Sequence, residues 1–254
     1  SLALWIGDSP GATRDVQFSV FSPGAGWSQP AKATAGSSQA RFLSLCLNRG
    51  GTGAAVWLEN GSPSLAAASF YRPGTGFTAP QVLNIDPMLG GGAPTCVADE
   101  AGVVTVMWTE FNGSAYGKAV SRGMASSALW SVPQYLDTND TESPDMEPGA
   151  LATNSTGGVL AVWKRTAGAS YRYHSRTFEG AAGWGPLLPL DNAGDLYVVS
   201  PRVTLLDDGR AVAAWQSYNA TASPFPEVTT LSPGSGWALP ARALVTPDLY
   251  GGGF

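Results

Sequence analysis

Tryptophan recurs in this chain at a fixed interval. Trp5, Trp57, Trp108, Trp163 and Trp215 stand 51 to 55 residues apart, and each is followed 20 to 22 residues later by Trp27, Phe77, Trp130, Trp184 or Trp237. A period near 50 carried from end to end marks a repeat architecture, in which each copy buries its apolar face only against a neighbour. The 254 residues therefore read as a single domain of five repeats, approximately 1–40, 41–92, 93–148, 149–199 and 200–254, with no linker at which to divide it.

Laid over one another, the repeats resolve into four segments of β character. The first (42–47, 94–98, 150–153 and 201–206) ends in a turn with glycine six residues before the tryptophan: Gly51, Gly102, Gly157 or Gly209. That is hairpin chemistry. The second carries the first tryptophan in runs such as Ala54-Ala55-Val56-Trp57 and Leu160-Ala161-Val162-Trp163, whose small and β-branched residues predict a strand buried on both sides. The third ends in Ser22-Pro23-Gly24-Ala25-Gly26 or its counterparts at 72–76 and 232–236, where proline and glycine set a tight turn. The fourth opens at the second aromatic and soon meets Pro30, Pro80, Pro133, Pro186 or Pro240. Proline cannot donate to a sheet ladder, so this segment belongs on an edge.

A four-stranded meander with a proline-bearing last strand is the pattern of a propeller blade. The expected fold is all-β, a five-bladed β-propeller of four-stranded antiparallel blades. The Ala-Val-Trp strand, the Pro-Gly-x-Gly-Trp turn and the proline after it resemble bacterial secreted β-propeller repeats, and the architecture is similar to the five-bladed tachylectin-2-type lectins. The resemblance implies a fold and no particular ligand. The chain opens on a second-type segment at Leu2, and 248–253 matches the stretch before an inner strand. The first blade is thus expected to lack its inner strand within this chain, so that further chain or a partner supplies it, or the ring closes with one three-stranded blade.

Counted back from the first tryptophan of each repeat, Cys96 aligns with Leu45, Leu151 and Val203, whereas Cys46 falls one residue later. Neighbouring residues of a strand point to opposite faces, so two separate buried thiols are expected. Only 13% of residues are charged, with 14 Lys and Arg against 19 Asp and Glu. No basic stripe exists to hold a nucleic acid or an anionic membrane. No apolar run nears the ~20 residues needed to span a bilayer. A surface of Ser, Thr, Asn, Gly and Ala points to a secreted or surface-exposed protein.

Within a blade, the second-to-third loops and the blade-to-blade loops share one face. The irregular loops of this chain all fall there, and variable loops on a rigid scaffold are where ligands bind. That face carries Asp8, Glu59 and Glu110 just past the first tryptophan, a carboxylate set suited to sugar hydroxyls or a cation. Asp195-Leu196-Tyr197 and Asp248-Leu249-Tyr250 each begin 11 residues past the second tryptophan, offering a stacking ring beside a hydrogen-bonding acid. The stretch 137–147 concentrates acid. Asp137, Asp140, Glu142 and Asp145 are oxygen donors that suit Ca2+, although the spacing is not that of an EF-hand and a solvated acidic loop is the favoured reading. No other cofactor is implied.

Catalytic signatures are sparse. His174 is the single histidine, there is no zinc spacing, and no nucleophile elbow occurs. The functional expectation is a non-catalytic binding propeller for carbohydrate, with a glycan or protein ligand at the loop-rich face. The alternatives are a protein-interaction or structural module of a larger surface assembly and, third, a glycoside hydrolase.

Overall fold

Five antiparallel sheets follow one another along the chain, one per repeat, in the computed structural model, which describes residues 1–9, 13–34, 39–140, 148–167, 170–190, 197–218 and 224–242. They are the five blades of the expected propeller. Blade two shows the plan: inner strand Ala40–Leu47, second strand Gly53–Glu59, third strand Leu65–Arg72, and a fourth strand split into Gly76–Phe77 and Gln81–Val82, both paired with the third. The inner strands of the next three blades are Thr95–Ala98, Ala150–Thr153 and Tyr197–Leu205. Blade one begins at its second strand, Leu2–Ser9, which pairs with Thr13–Ser22 and is the depleted blade foreseen.

The local causes are those the sequence named. Gly51, Gly102, Gly157 and Gly209 close the inner hairpins at φ of 79–82°, a backbone state that favours glycine. The proline splits the fourth strand, and a hydroxyl repairs the ladder beside the break. Thr78 Oγ1 accepts the Phe70 N–H at 3.1 Å, and Ser131 Oγ accepts the Arg122 N–H at 3.0 Å. A Ser or Thr two residues before the proline thus substitutes for a missing backbone partner.

Blades pack face to face, and four apolar clusters fill the seams between blades one and two, two and three, three and four, and four and five. Each is anchored by the first tryptophan of the later blade: Trp57, Trp108, Trp163 and Trp215 are all at most 3% exposed. The second aromatic reaches back to the preceding blade. Trp130 stacks on Phe70 with centroids 4.3 Å apart, Phe77 meets Phe18 edge-on at 4.9 Å, and the Trp237 indole donates to Ser175 at 2.8 Å. Blade one departs from this pattern. Trp5 is only half-buried, and Trp27, expected as a packing residue, is 54% exposed against its own Phe21.

The cysteines also correct an expectation. Cys46 and Cys96 form a disulfide across the seam of blades two and three, with Cα atoms 5.7 Å apart. The parity argument was sound within one sheet and misapplied across two. Where sheets pack face to face, residues that meet lie on opposite faces of their own sheets. Cys46 pairs with Ala54, three residues before Trp57, and so faces blade three; Cys96 pairs with Val106, two before Trp108, and so faces blade two. The offset of one residue is what brings them together.

Candidate functional site

The loop-rich face is built on the buried indoles. A buried indole N–H requires an acceptor, and all four here have a carboxylate. Residue i+2 of a strand shares the face of residue i. Trp57 Nε1 therefore donates to Glu59 at 3.1 Å, and Trp108 Nε1 to Glu110 at 2.7 Å. In blade four Arg165 stands at that position, and Asp137 from the fourth strand of blade three accepts from Trp163 instead, at 3.3 Å. In blade five Trp215 is shared between Ser217 at 2.9 Å and Glu227, directly across the ladder, at 3.0 Å.

The remaining oxygens tie down the linkers. The Gln39 N–H donates to Glu59 and the Asp86 N–H donates to Glu110 at 2.8 Å. Both donors lie in segments that lead from one blade into the next. Glu59 and Glu110 are thus second-strand residues engaged inside the protein, and Glu110 is fully buried. Asp8 lies one residue further from its tryptophan, off the indole's face. It is exposed, 3.6 Å from Arg14. The three do not share one surface. Blade one's buried acid is Asp15, which accepts from Lys32 at 2.6 Å and Thr34 at 3.2 Å. Sequence reasoning missed it because it belongs to the third strand, opposite Gly7.

Of the other expected site residues, Asp195, Asp248 and Tyr250 lie outside the described residues. Tyr197 opens the inner strand of blade five opposite Tyr218, and its side chain is outside the description. Of the proposed cation ligands, Glu142, Asp145 and the Asp140 side chain are likewise outside it, and Asp137 is held by Arg165 at 2.9 Å. Among the described residues no group of three or more His, Cys, Asp or Glu side chains is arranged to hold a metal ion.

A cluster that sequence reasoning missed stands at the loop end of blade four. Lys164, Arg165, Arg172 and Arg176, four of the 14 basic residues, fall within 13 positions together with His174. Alternation puts Arg172, His174 and Arg176 on the face toward blade three, with Arg165 directly opposite Arg172. Like charges directly opposed across a ladder repel. Asp137 answers Arg165, while Arg172 Nε has no hydrogen-bond partner among the described residues. Burial, and behind it the neighbouring Arg165, holds His174 below its ordinary 6.5, so the imidazole is neutral at neutral pH. The seam therefore offers guanidinium donors and a neutral imidazole near a loop surface.

No family model matches the chain, and no curated protein matches it. Solved structures do. A protein of unknown function from Dyadobacter fermentans is 14% identical, with a TM-score of 0.58 over 80% of this chain and 68% of that one. A polysaccharide lyase, an ulvan lyase, is 10% identical, with a TM-score of 0.59 over 93% of this chain and 68% of that one. An α-L-arabinanase from Penicillium chrysogenum, complexed with arabinobiose, is 11% identical, with a TM-score of 0.56 over 82% of this chain and 67% of that one. At such identities the likeness is one of fold, and the fold is a propeller that carbohydrate-active enzymes share. This overturns the expectation of a non-catalytic protein. That expectation rested on missing motifs and near-copied blades, yet the fold of a lyase and of an arabinanase is matched over most of the chain. No helix among the described residues is long and apolar enough to cross a membrane.

Proposed function

We propose that the protein acts on an acidic carbohydrate at the loop end of the seam between blades three and four. The observation that carries this reading is Arg172, directly opposed to Arg165 across the ladder, its Nε buried without a hydrogen-bond partner among the described residues, while Asp137 lies 2.9 Å from Arg165. A uronate or other anionic sugar entering the seam supplies the second anion, in a charge-assisted and potentially bidentate contact. Hydrolysis by a carboxylate pair requires two acids flanking the sugar, whereas Glu59 and Glu110 are engaged by indole and linker. Elimination instead needs a cation to neutralise the sugar carboxylate and a base that takes the adjacent proton and returns it to the glycosidic oxygen as that C–O bond breaks and the C=C bond forms, roles that Arg172 and the neutral His174 are suited to. The likeness of fold to the ulvan lyase supports the same direction. The disulfide fits an oxidising, extracytoplasmic setting.

The test is incubation with ulvan, other uronate-bearing polysaccharides and neutral arabinan. Ultraviolet absorbance of an unsaturated uronate signals elimination. New reducing ends without that absorbance signal hydrolysis, and retention in affinity electrophoresis without either signals binding alone. Acidic polymers neither cut nor retained would sink the proposal.

A second reading, a strand-accepting module of a larger assembly, rests on Trp5, half-buried where its four counterparts are enclosed, on the exposed Trp27, and on the inner edge of Leu2–Ser9, which has no neighbouring strand among the described residues. A synthetic 40–47 peptide should then protect amides of Leu2–Ser9 from exchange. Unchanged exchange would count against it.

A further inference from the structure

The seam between blades three and four is closed on the tight-turn face by one side chain. Arg122, on the third strand of blade three, reaches across to blade four and lies over the Phe178 ring at 3.8 Å. Its Nη2 donates to the Gly157 carbonyl at 3.4 Å and sits 4.0 Å from Asp99. Blade two fills the equivalent volume with Phe70, stacked on Trp130. The register makes these positions equivalent, since Phe70, Arg122 and Thr177 each oppose the residue three before the first tryptophan, namely Ala54, Thr105 and Leu160. In blade four that residue is only a threonine, and Leu231 stands where blade four has Phe178. The result is a cleft of about 800 Å3 between blades four and five, floored by Leu188 and Leu231 and rimmed by Asn154, Glu179, Asp207 and Asp208.

We propose that this cleft is a second binding site, on the face opposite the carbohydrate site, for the guanidinium of an arginine side chain presented by a partner polypeptide. The chain's own Arg122 shows what the volume accepts one seam away: a planar cation with an apolar surface beneath it and carbonyl and carboxylate oxygens at its edge. The blade-four cleft repeats that arrangement, with leucines below, the turn at Gly209 in place of that at Gly157, and acids at the rim. A planar cation gains both from the apolar floor, through its weak hydration, and from charge-assisted bonds at its edge. A neutral sugar would lack an aromatic platform here, since among the described residues no aromatic side chain lines the cleft.

The probe is N-acetyl-arginine amide, compared with the isosteric N-acetyl-citrulline amide and with methyl glucoside, in amide NMR titrations of the whole chain. Saturable shifts are expected at Gly209, Gly234 and Gly236, whose turns line the cleft. Affinity for citrulline should be on the order of tenfold weaker, the difference between charged and neutral hydrogen bonds. Thr177→Arg places in blade four the side chain that blade three already carries, and should abolish the shifts. Should that variant fail to fold, Glu179→Gln with Asp207→Asn, both on the surface, should weaken binding and its salt dependence. No saturable shift, equal response to citrulline or to the glucoside, or shifts undiminished in the variants would overturn the proposal. None of these residues belongs to the seam between blades three and four, so loss of polysaccharide cleavage alone leaves this outcome independent.

Discussion

The indole of Trp108 and the carboxylate of Glu110, two residues apart on one strand and both fully enclosed, are joined by a 2.7 Å hydrogen bond whose acceptor also holds the Asp86 amide. Removing the acid orphans two buried donors at once. Each unsatisfied buried group costs about 1–3 kcal/mol. Glu110→Ala should therefore lower unfolding free energy by roughly 3 kcal/mol or more, while Glu110→Gln, which keeps an acceptor oxygen, should lose less than half of that. Urea denaturation of both variants measures the difference.

The disulfide makes a separate prediction. Cys46 and Cys96 close a loop 50 residues in sequence separation, and the chain-entropy relation assigns such a loop about 4 kcal/mol. Cys46→Ala with Cys96→Ala, or reduction under native conditions, should lower the urea midpoint with little change in its slope. A midpoint insensitive to reductant would show that the bond contributes nothing.

His174 gives a pH dependence with a definite sign. Its folded-state value is pushed down by burial and by Arg165, so the unfolded chain takes up the proton first. Stability from this group is fully present above 6.5, the ordinary value, and is lost as pH falls below it toward the folded value. His174→Gln should flatten the stability profile just below 6.5 and leave it unchanged at pH 8. Amide exchange or thermal unfolding across that interval is the measurement.

Activity on acidic glycans should depend on Arg172 and not on Arg14, an exposed arginine of blade one paired with Asp8. Losing a charge-assisted contact costs about 1.5–3 kcal/mol, so Arg172→Ala should weaken glycan affinity or kcat/KM by roughly 10- to 100-fold. The melting temperature should change little, because the substitution also relieves the repulsion with Arg165. Equal effects of both alanine variants would disconnect the cluster from function.

Packing on the tight-turn face is testable at Gly123. A Cβ there would come within 2.5 Å of the Trp130 ring and 2.6 Å of Phe70, the stacked pair across the seam of blades two and three. Gly123→Ala should destabilise by about 1–3 kcal/mol, the usual cost of overpacking, and shift the fluorescence of Trp130.

The tryptophan period, the turn glycines and the edge prolines made the blades legible, because each is a local signal repeated at a fixed distance. Relationships between sheets were harder to read. The cysteine pairing depends on which faces of adjacent blades meet, and no single-strand periodicity carries that. Glu59 and Glu110 were visible as acids two residues past tryptophan, yet reading them as loop residues hid what their strand parity implied: an acceptor for the indole. The cluster at blade four was missed because His174 was weighed alone. Only the pairing of Arg165 with Arg172, and the arrival of Asp137 from another blade, gives those residues a common environment.

The amide ties from Gln39 to Glu59 and from Asp86 to Glu110 cross the boundaries at which the sequence period restarts. A blade excised at its linker therefore leaves behind the acceptor that orders that linker, or carries away the donor that needs it. For anyone shuffling, grafting or circularly permuting such repeats, the cut that separates neither pair lies in the exposed turn after a third strand, as at Pro73-Gly74. The transferable module is consequently out of phase with the visible one: it begins at a fourth strand and carries each linker together with the second strand that orders it.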